Sequence, residues 1–161
     1  MSDLGFLHND PGDYLDHKVY LHDCAADRIW YRDGVLSFRF PEGIWITPHH
    51  EASDLPEVVR TDTAQVDFAA DDPDEIHVTV FTRNIFKKTF VKYWDMQELM
   101  EAVNSGECMV EFYYKYSSAS DCMWDGALRP MKRARFRLSQ LHIPNGSVTY
   151  RWNNLRPECV W

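Results

Sequence analysis

The sequence lacks the features that mark membrane and secreted proteins. No apolar run approaches the roughly 20 residues that span a bilayer. The first six residues contain neither a basic stretch nor an apolar one, so we expect no secretory signal. The four cysteines (Cys24, Cys108, Cys122 and Cys159) include no Cys-x-x-Cys pair. This spacing suits four free thiols in a reducing compartment, and it predicts a cytoplasmic protein.

Local signatures of catalysis are also missing. The 7 glycines are isolated, so no glycine-rich loop is present to hold a phosphate group. The chain contains neither a Gly-x-Ser-x-Gly motif nor a cysteine-protease signature. With 25 acidic residues, the choice of any one carboxylate pair for acid–base chemistry would be arbitrary. We therefore expect no hydrolase or transferase activity and no cofactor.

Basic residues are scarce in the first part of the chain. Residues 1–75 contain 17 acidic and 5 basic residues, a charge of about −12, whereas residues 76–161 carry about +4. Complementary charge speeds protein association, and exposed aromatics often anchor it. The sequence thus predicts an acidic face that docks onto a basic partner protein, such as a toxin or a nuclease. The candidate contacts are the densest acidic run and three aromatics of the same half: Asp71, Asp72, Asp74, Glu75, Trp30, Tyr31 and Trp45.

Hydrophobic periodicity predicts one α+β domain over residues 1–161, with residues 1–16 as a loosely ordered acidic segment. About eight antiparallel strands are expected, closed into a barrel or split into a sandwich. Asp33-Gly34 predicts a tight hairpin between strands 28–31 and 35–40. Residues 85–93 and 133–143 are predicted strands, and residues 117–125 a polar loop. Asn145-Gly146 predicts a second hairpin, with residues 148–152 as its return strand.

One amphipathic helix is predicted over residues 96–104. Asp95 is a suitable N-cap, Glu98 completes a capping box, and Gly106 ends the helix. On the next strand, Cys108, Val110, Phe112, Tyr114 and Tyr116 are expected to share one face. The predicted core comprises Leu36, Phe38, Val66, Ile76, Val78, Leu99, Val110, Phe112, Phe136 and Leu138.

Three other hypotheses use the same sequence. In the first hypothesis the protein is a metal-dependent enzyme or sensor, and His49 and His50 are the metal ligands. The sequence around them contains no spacing typical of zinc ligands. A closed barrel rich in inward aromatics would instead carry a small apolar ligand. Arg133, Arg135 and Arg137 would share one strand face and contact nucleic acid there, but the net charge of −8 opposes a polyanion.

One segment resembles a class of known proteins. It comprises His22-Asp23-Cys24, Ile29-Trp30-Tyr31, Asp33-Gly34 and Leu36-Ser37-Phe38. These pieces resemble the opening of small β-rich bacterial proteins, including immunity proteins of toxin systems. The resemblance implies a single-domain, cytoplasmic, acidic and non-catalytic protein that binds and blocks another protein.

Overall fold

The structure, a computed structural model, describes residues 6–10, 18–118, 121–132, 136–144 and 146–161. Within these ranges it is mainly antiparallel β-structure with one α-helix, which confirms the predicted fold class. The helix α1 spans Met96–Asn104, and a short 3-10 helix spans Pro73–Glu75. The strands are β1 (Phe6–Asp10), β2 (Val19–Tyr20), β3 (Cys24–Ala26), β4 (Arg28–Arg32), β5 (Val35–Phe40), β6 (Trp45–Ile46), β7 (Val59–Thr61), β8 (Ala64–Ala69), β9 (His77–Arg83), β10 (Thr89–Asp95), β11 (Cys108–Ser117), β12 (Asp121–Pro130), β13 (Arg137–Pro144), β14 (Val148–Trp152) and β15 (Leu155–Val160).

The strands form three sheets in which every pairing is antiparallel. The first sheet has the order β1-β14-β8-β5-β4, the second β10-β9-β13-β12-β11-β3, and the third β15-β7-β6-β2. Within the described residues none of the three closes on itself, so of the two predicted alternatives, barrel and sandwich, the barrel is wrong. The prediction of about eight strands was also too low, because several short strands carry too few residues to show an alternating pattern.

The first and second sheets pack face to face around aromatic side chains. Phe38 of β5 makes edge-on contacts with Phe68 of β8 and with Phe112 of β11, at centroid distances of 5.6 and 5.3 Å. Trp124 of β12 adds an edge contact to Phe112 at 5.4 Å. Edge-to-face pairs place the positive ring edge on the negative ring face, and they add to the burial of apolar area.

The predicted hairpin and helix are both present. β4 and β5 pair around the Asp33-Gly34 turn, where both residues have positive φ. The capping box of α1 is complete, because Asp95 accepts from the Glu98 N–H and the Glu98 side chain accepts from the Asp95 N–H. α1 packs against β4 of the first sheet and β10 of the second, and so covers one open side between them.

Eight of the ten predicted core residues are buried, and two are not. Phe136 and Leu138 are 49% and 55% exposed. On β13 the buried face carries Ser139, Leu141 and Ile143 instead. The error follows from reading the arginines as the outer face, whereas Arg137 lies on the inner side of the strand. Arg133 and Arg135 lie outside the described residues.

Three predicted elements are wrong in their boundaries or connections. Much of the expected polar loop at residues 117–125 belongs to β12. The expected strand at residues 85–93 starts only at Thr89, because Lys87 has a φ of +62° in a turn. Residues 148–152 do form β14, but β14 pairs with β1 and β8 rather than with β13. Gly146 therefore lies in the connection between the second sheet and the first, and Asn145 lies outside the described residues.

A bulge in β11 reverses its exposed face. The register to β12 shifts between Phe112 and Lys115. Tyr114 and Tyr116, expected on the same face as Val110, are consequently 60% and 52% exposed. At the N-terminal end, Phe6–Asp10 of the expected loose segment forms β1, and the rest of residues 1–16 lies outside the described residues.

Candidate binding surface

The predicted acidic contacts lie together at one corner of the first sheet. Asp71, Asp72, Asp74 and Glu75 are all exposed, and the Asp33-Gly34 turn lies beside them. The Ala70 N–H donates to the Gly34 carbonyl at 2.8 Å, which joins the two segments. We call Asp33, Asp71, Asp72, Asp74 and Glu75 the acidic corner.

The three predicted aromatic contacts do not join this corner as exposed anchors. The Tyr31 hydroxyl donates to the Ala70 carbonyl at 2.8 Å and lies 3.2 Å from the Asp71 carbonyl, while its ring packs against the core. Trp30 is half-buried and points to the opposite face of β4. Tyr31 therefore fixes the backbone of the acidic corner and offers little surface to a partner.

Trp45 belongs to a separate aromatic cluster in the third sheet. Its ring lies 5.4 Å from Trp161, and its indole N–H donates to the His22 carbonyl at 3.0 Å. The guanidinium of Arg60 lies over the Trp45 ring at 4.8 Å. Nearby, burial raises the pKa of the Cys24 thiol to about 12 although Arg60 acts against it. A thiol with that pKa is a poor nucleophile at neutral pH.

His49 and His50 occupy different environments. His49 is exposed, whereas His50 is buried with its ring 5.2 Å from that of Trp152. The Nδ1 atom of His50 accepts a hydrogen bond from the Ala52 N–H at 2.9 Å, so that atom is engaged by the protein. Across the described ranges, no group of three His, Cys, Asp or Glu side chains is placed to hold a metal ion.

The most exposed apolar side chains lie on the β9–β10 hairpin. Ile85 and Phe86, at its tip, are 76% and 77% exposed. Phe90 of β10 and Phe136, which precedes β13, are about half exposed. The hairpin also carries four cations and no acidic residue between Ile76 and Trp94. We call this region the hairpin surface; its members are Arg83, Ile85, Phe86, Lys87, Lys88, Phe90, Lys92, Phe136 and Arg137.

A groove of about 470 Å³ lies within the hairpin surface. Its lining includes Ile85 and Phe136, with Arg83, Lys87 and Arg137 around them. Arg137 is held in place because it donates to the Glu107 carboxylate at 3.1 Å and lies 5.1 Å above the Trp94 ring. The groove thus combines apolar walls with positive charge.

The outer face of the six-stranded sheet continues from this hairpin. Val91, Phe81 and Leu138 are cross-strand neighbours there, and Val91 and Leu138 are about half exposed. Farther along, His77 and His142 pair across β9 and β13 with stacked rings 4.6 Å apart. Burial first, and the neighbouring His77 second, lower the pKa of His142, while Asp121 acts in the opposite direction.

Comparison with known proteins finds no matching family model, no similar curated protein and no similar solved structure. The resemblance to immunity proteins therefore stays a prediction. The only α-helix in the described ranges is nine residues long, and no helix there has both the length and the apolar character needed to cross a membrane.

Sequence reasoning did not select the hairpin surface. Its only signal was the Lys87-Lys88 pair, which interrupts the strand pattern and marks the turn. Exposure of Ile85 and Phe86 follows from the hairpin extending past the strands that cover the core, and local periodicity carries no information about that.

Proposed function

We propose that the protein is a non-catalytic module that binds another protein, with the hairpin surface as its principal contact. One observation carries the proposal: Ile85, Phe86 and Phe90 are each more than half exposed, and all three lie on one hairpin that carries four cations and no acidic residue. Single exposed apolar residues are ordinary, whereas exposed apolar side chains concentrated on one element favour an interaction site. Apolar anchors surrounded by charge are also the usual anatomy of a protein interface.

Two ionisable side chains, Cys24 and Tyr113, are poorly suited to act as a nucleophile or a general base. Burial raises the pKa of Cys24, and it also raises the pKa of Tyr113 to about 12. Both shifts move the group away from the neutral range in which a nucleophile or a general base works.

The acidic corner supports a second candidate contact, as predicted from the sequence. Its five carboxylates come from two turns that are far apart in the sequence. Their combined negative charge would attract a basic toxin or nuclease. Tyr31 does not serve the acidic corner as an exposed anchor, because its hydroxyl donates a hydrogen bond to the Ala70 carbonyl. We therefore assign the acidic corner a role in steering the partner and the hairpin surface the larger share of affinity.

We further propose that the protein works in the cytoplasm. All four cysteines are free, and three of them are buried. A reducing compartment keeps such thiols unpaired.

Affinity capture from the native host, followed by rebinding of the purified partner, tests the function. The hairpin variant Ile85→Ser/Phe86→Ser removes two exposed apolar side chains, and the corner variant Asp71→Asn/Asp74→Asn is its matched control. We expect the hairpin variant to lose at least tenfold in affinity, since each anchor contributes more than about 1 kcal/mol. The corner variant should bind more slowly, with the effect fading as salt rises.

The opposite result overturns the assignment. Suppose the purified partner binds the hairpin variant with unchanged affinity but no longer binds the corner variant. The acidic corner is then the principal contact. If turnover of a substrate is found and one point substitution abolishes it, the non-catalytic function is wrong.

A further inference from the structure

β10 is an edge strand whose hydrogen-bonding edge is open. It stands first in the strand order β10-β9-β13-β12-β11-β3, and no further strand pairs with it within the described residues. Its first five residues, from Thr89 to Tyr93, are all exposed. An open edge of this kind is a template for an incoming strand unless the protein blocks it.

The hairpin register shows which backbone groups face outward. The Asn84 N–H donates to the Lys88 carbonyl at 3.0 Å, so residues 84 and 88 form a hydrogen-bonded pair. The pairing continues without a shift from Thr89 opposite Arg83 to Asp95 opposite His77. Hydrogen-bonded and non-hydrogen-bonded pairs alternate in an antiparallel ladder. The N–H and C=O groups of Thr89, Val91 and Tyr93 therefore point away from β9.

Charge decides what kind of strand fits this edge. Lys88 and Lys92 flank Val91, and Arg83 and Lys87 lie on the same hairpin. A second copy of the chain pairing through the same edge would place two hairpins of like positive charge side by side, which opposes association. An incoming segment with acidic side chains would instead pair with them, and its backbone would satisfy the outward groups.

We infer that β10 binds an acidic, extended segment of a partner protein as an additional antiparallel strand of the six-stranded sheet. Thr89, Val91 and Tyr93 supply the backbone hydrogen bonds, and Lys88 and Lys92 select for carboxylates on the segment. This is strand addition, in which the main chain gives affinity and the side chains give specificity. The inference rests on the proposed function and names the chemistry of the partner at the hairpin surface.

The proline substitution Val91→Pro is the sharpest test. It removes one outward N–H and leaves the hydrogen bonds to β9 in place, and proline is tolerated on an edge strand where its nitrogen faces solvent. Val91→Ala is the matched control because it shortens the same side chain and keeps the N–H. The probe is a labelled peptide of alternating Glu and Val, compared with one of alternating Lys and Val.

We expect the Glu-Val peptide to bind the natural sequence and Val91→Ala with affinities within about twofold of each other. Val91→Pro should bind about tenfold more weakly, because a hydrogen bond is lost and the proline ring occupies the edge. Binding should weaken as salt rises, and the Lys-Val peptide should bind at least tenfold more weakly.

Hydrogen exchange keeps the test decisive if Val91→Pro perturbs the fold. On addition of the Glu-Val peptide, the amides of Thr89, Val91 and Tyr93 should become protected. The amides of Phe90 and Lys92, which already face β9, should change little.

Four results would overturn the inference: equal binding of both peptides, no new protection at the outward amides, dimerisation through β10, or preference for single-stranded oligonucleotides. In any of these cases, binding of the partner captured from the host is then measured on the Ile85→Ser/Phe86→Ser variant. If that variant still binds the partner more weakly than the natural sequence does, the proposed function stands and only strand addition fails.

Discussion

The side chain of Asn104 completes the hydrogen bonding of Ile29 as another strand would. Its amide oxygen accepts from the Ile29 N–H at 3.0 Å, and its amide nitrogen donates to the Ile29 carbonyl at 2.7 Å. Ile29 lies on β4, one of the two edge strands of the first sheet. The last residue of α1 therefore blocks one edge of that sheet. The edge at β10 has no such cover in the described structure.

Replacement of Asn104 by Ala should lower the free energy of unfolding by about 1–2 kcal/mol. Both hydrogen bonds to Ile29 are lost, and only water can replace them. Gln97→Ala is the control, since its side chain bonds to Glu101 on the exposed helix surface and should contribute less than about 0.5 kcal/mol. Urea unfolding of both variants measures the difference. Equal stability of the two would show that Asn104 does not secure β4.

Gly126 and Gly106 should respond very differently to replacement by Ala. A Cβ atom at Gly126 would overlap the Glu111 carbonyl oxygen on β11, beside the bulge. We expect Gly126→Ala to cost about 3 kcal/mol or more, because the backbone of β11 must move. Gly106 has a φ of +77° and nothing within 4 Å, so Gly106→Ala should cost only about 1–2 kcal/mol of backbone strain.

Urea unfolding midpoints of these two variants test the steric explanation. A cost at Gly126 no greater than that at Gly106 would contradict it. It would mean that β11 and β12 separate easily at this position.

The His77–His142 pair should make the protein less stable in mild acid. The pKa of His142 in the folded state lies below its ordinary value of 6.5, chiefly through burial and then through His77. The unfolded chain consequently binds a proton more readily in that range, so stability falls as pH drops through about 6.5 and levels off below the folded-state pKa. At higher pH this contribution is constant.

Chemical denaturation between pH 7.5 and 5 measures this effect. His142→Gln should show a weaker decline than the natural sequence, and His77→Gln should show a partial reduction, because burial of His142 remains. An NMR titration in which the folded-state pKa of His142 lies above 6.5 would contradict the prediction.

The four thiols should react in a fixed order. Cys159 is partly exposed, whereas Cys24, Cys108 and Cys122 are buried. Burial also raises the pKa of Cys24 to about 12 and raises the pKa of Cys108. With an aromatic disulfide reagent at pH 8, one thiol should react rapidly and three slowly, since the thiolate is the reactive form.

In urea all four thiols should react rapidly, and Cys159→Ser should abolish only the fast phase of the native protein. A fast phase that survives this substitution would show that a buried thiol is accessible.

The elements that the sequence predicted correctly carry their own local signals. The capping box at Asp95 and Glu98 defined the start of α1, Gly106 defined its end, and Asp33-Gly34 defined the first hairpin. The β11 bulge could not be predicted, because the side-chain alternation through Phe112 and Tyr114 reads as continuous. The faces of β13 depend on which strands flank it, and its arginines suggested the wrong outer face.

The candidate site was harder to predict than the fold. Charge density identified the acidic corner, and the structure does bring its residues together. Whether an aromatic is an anchor depends on its environment: Tyr31 is engaged with backbone carbonyls, whereas Phe86 is exposed. That distinction comes from packing between elements far apart in the chain, which periodicity within one element does not report.

The position of β14 sets the order in which the protein can finish folding during synthesis. β14 lies between β1 and β8, and it is made more than a hundred residues after β1. Until Val148–Trp152 leaves the ribosome, β8 keeps one open side and β1 has no neighbour in the described sheet. The nascent chain therefore exposes unpaired strand edges for most of its synthesis, and long-range pairing of this kind is slow. Assistance from a chaperone should matter more for the growing chain than for the finished protein.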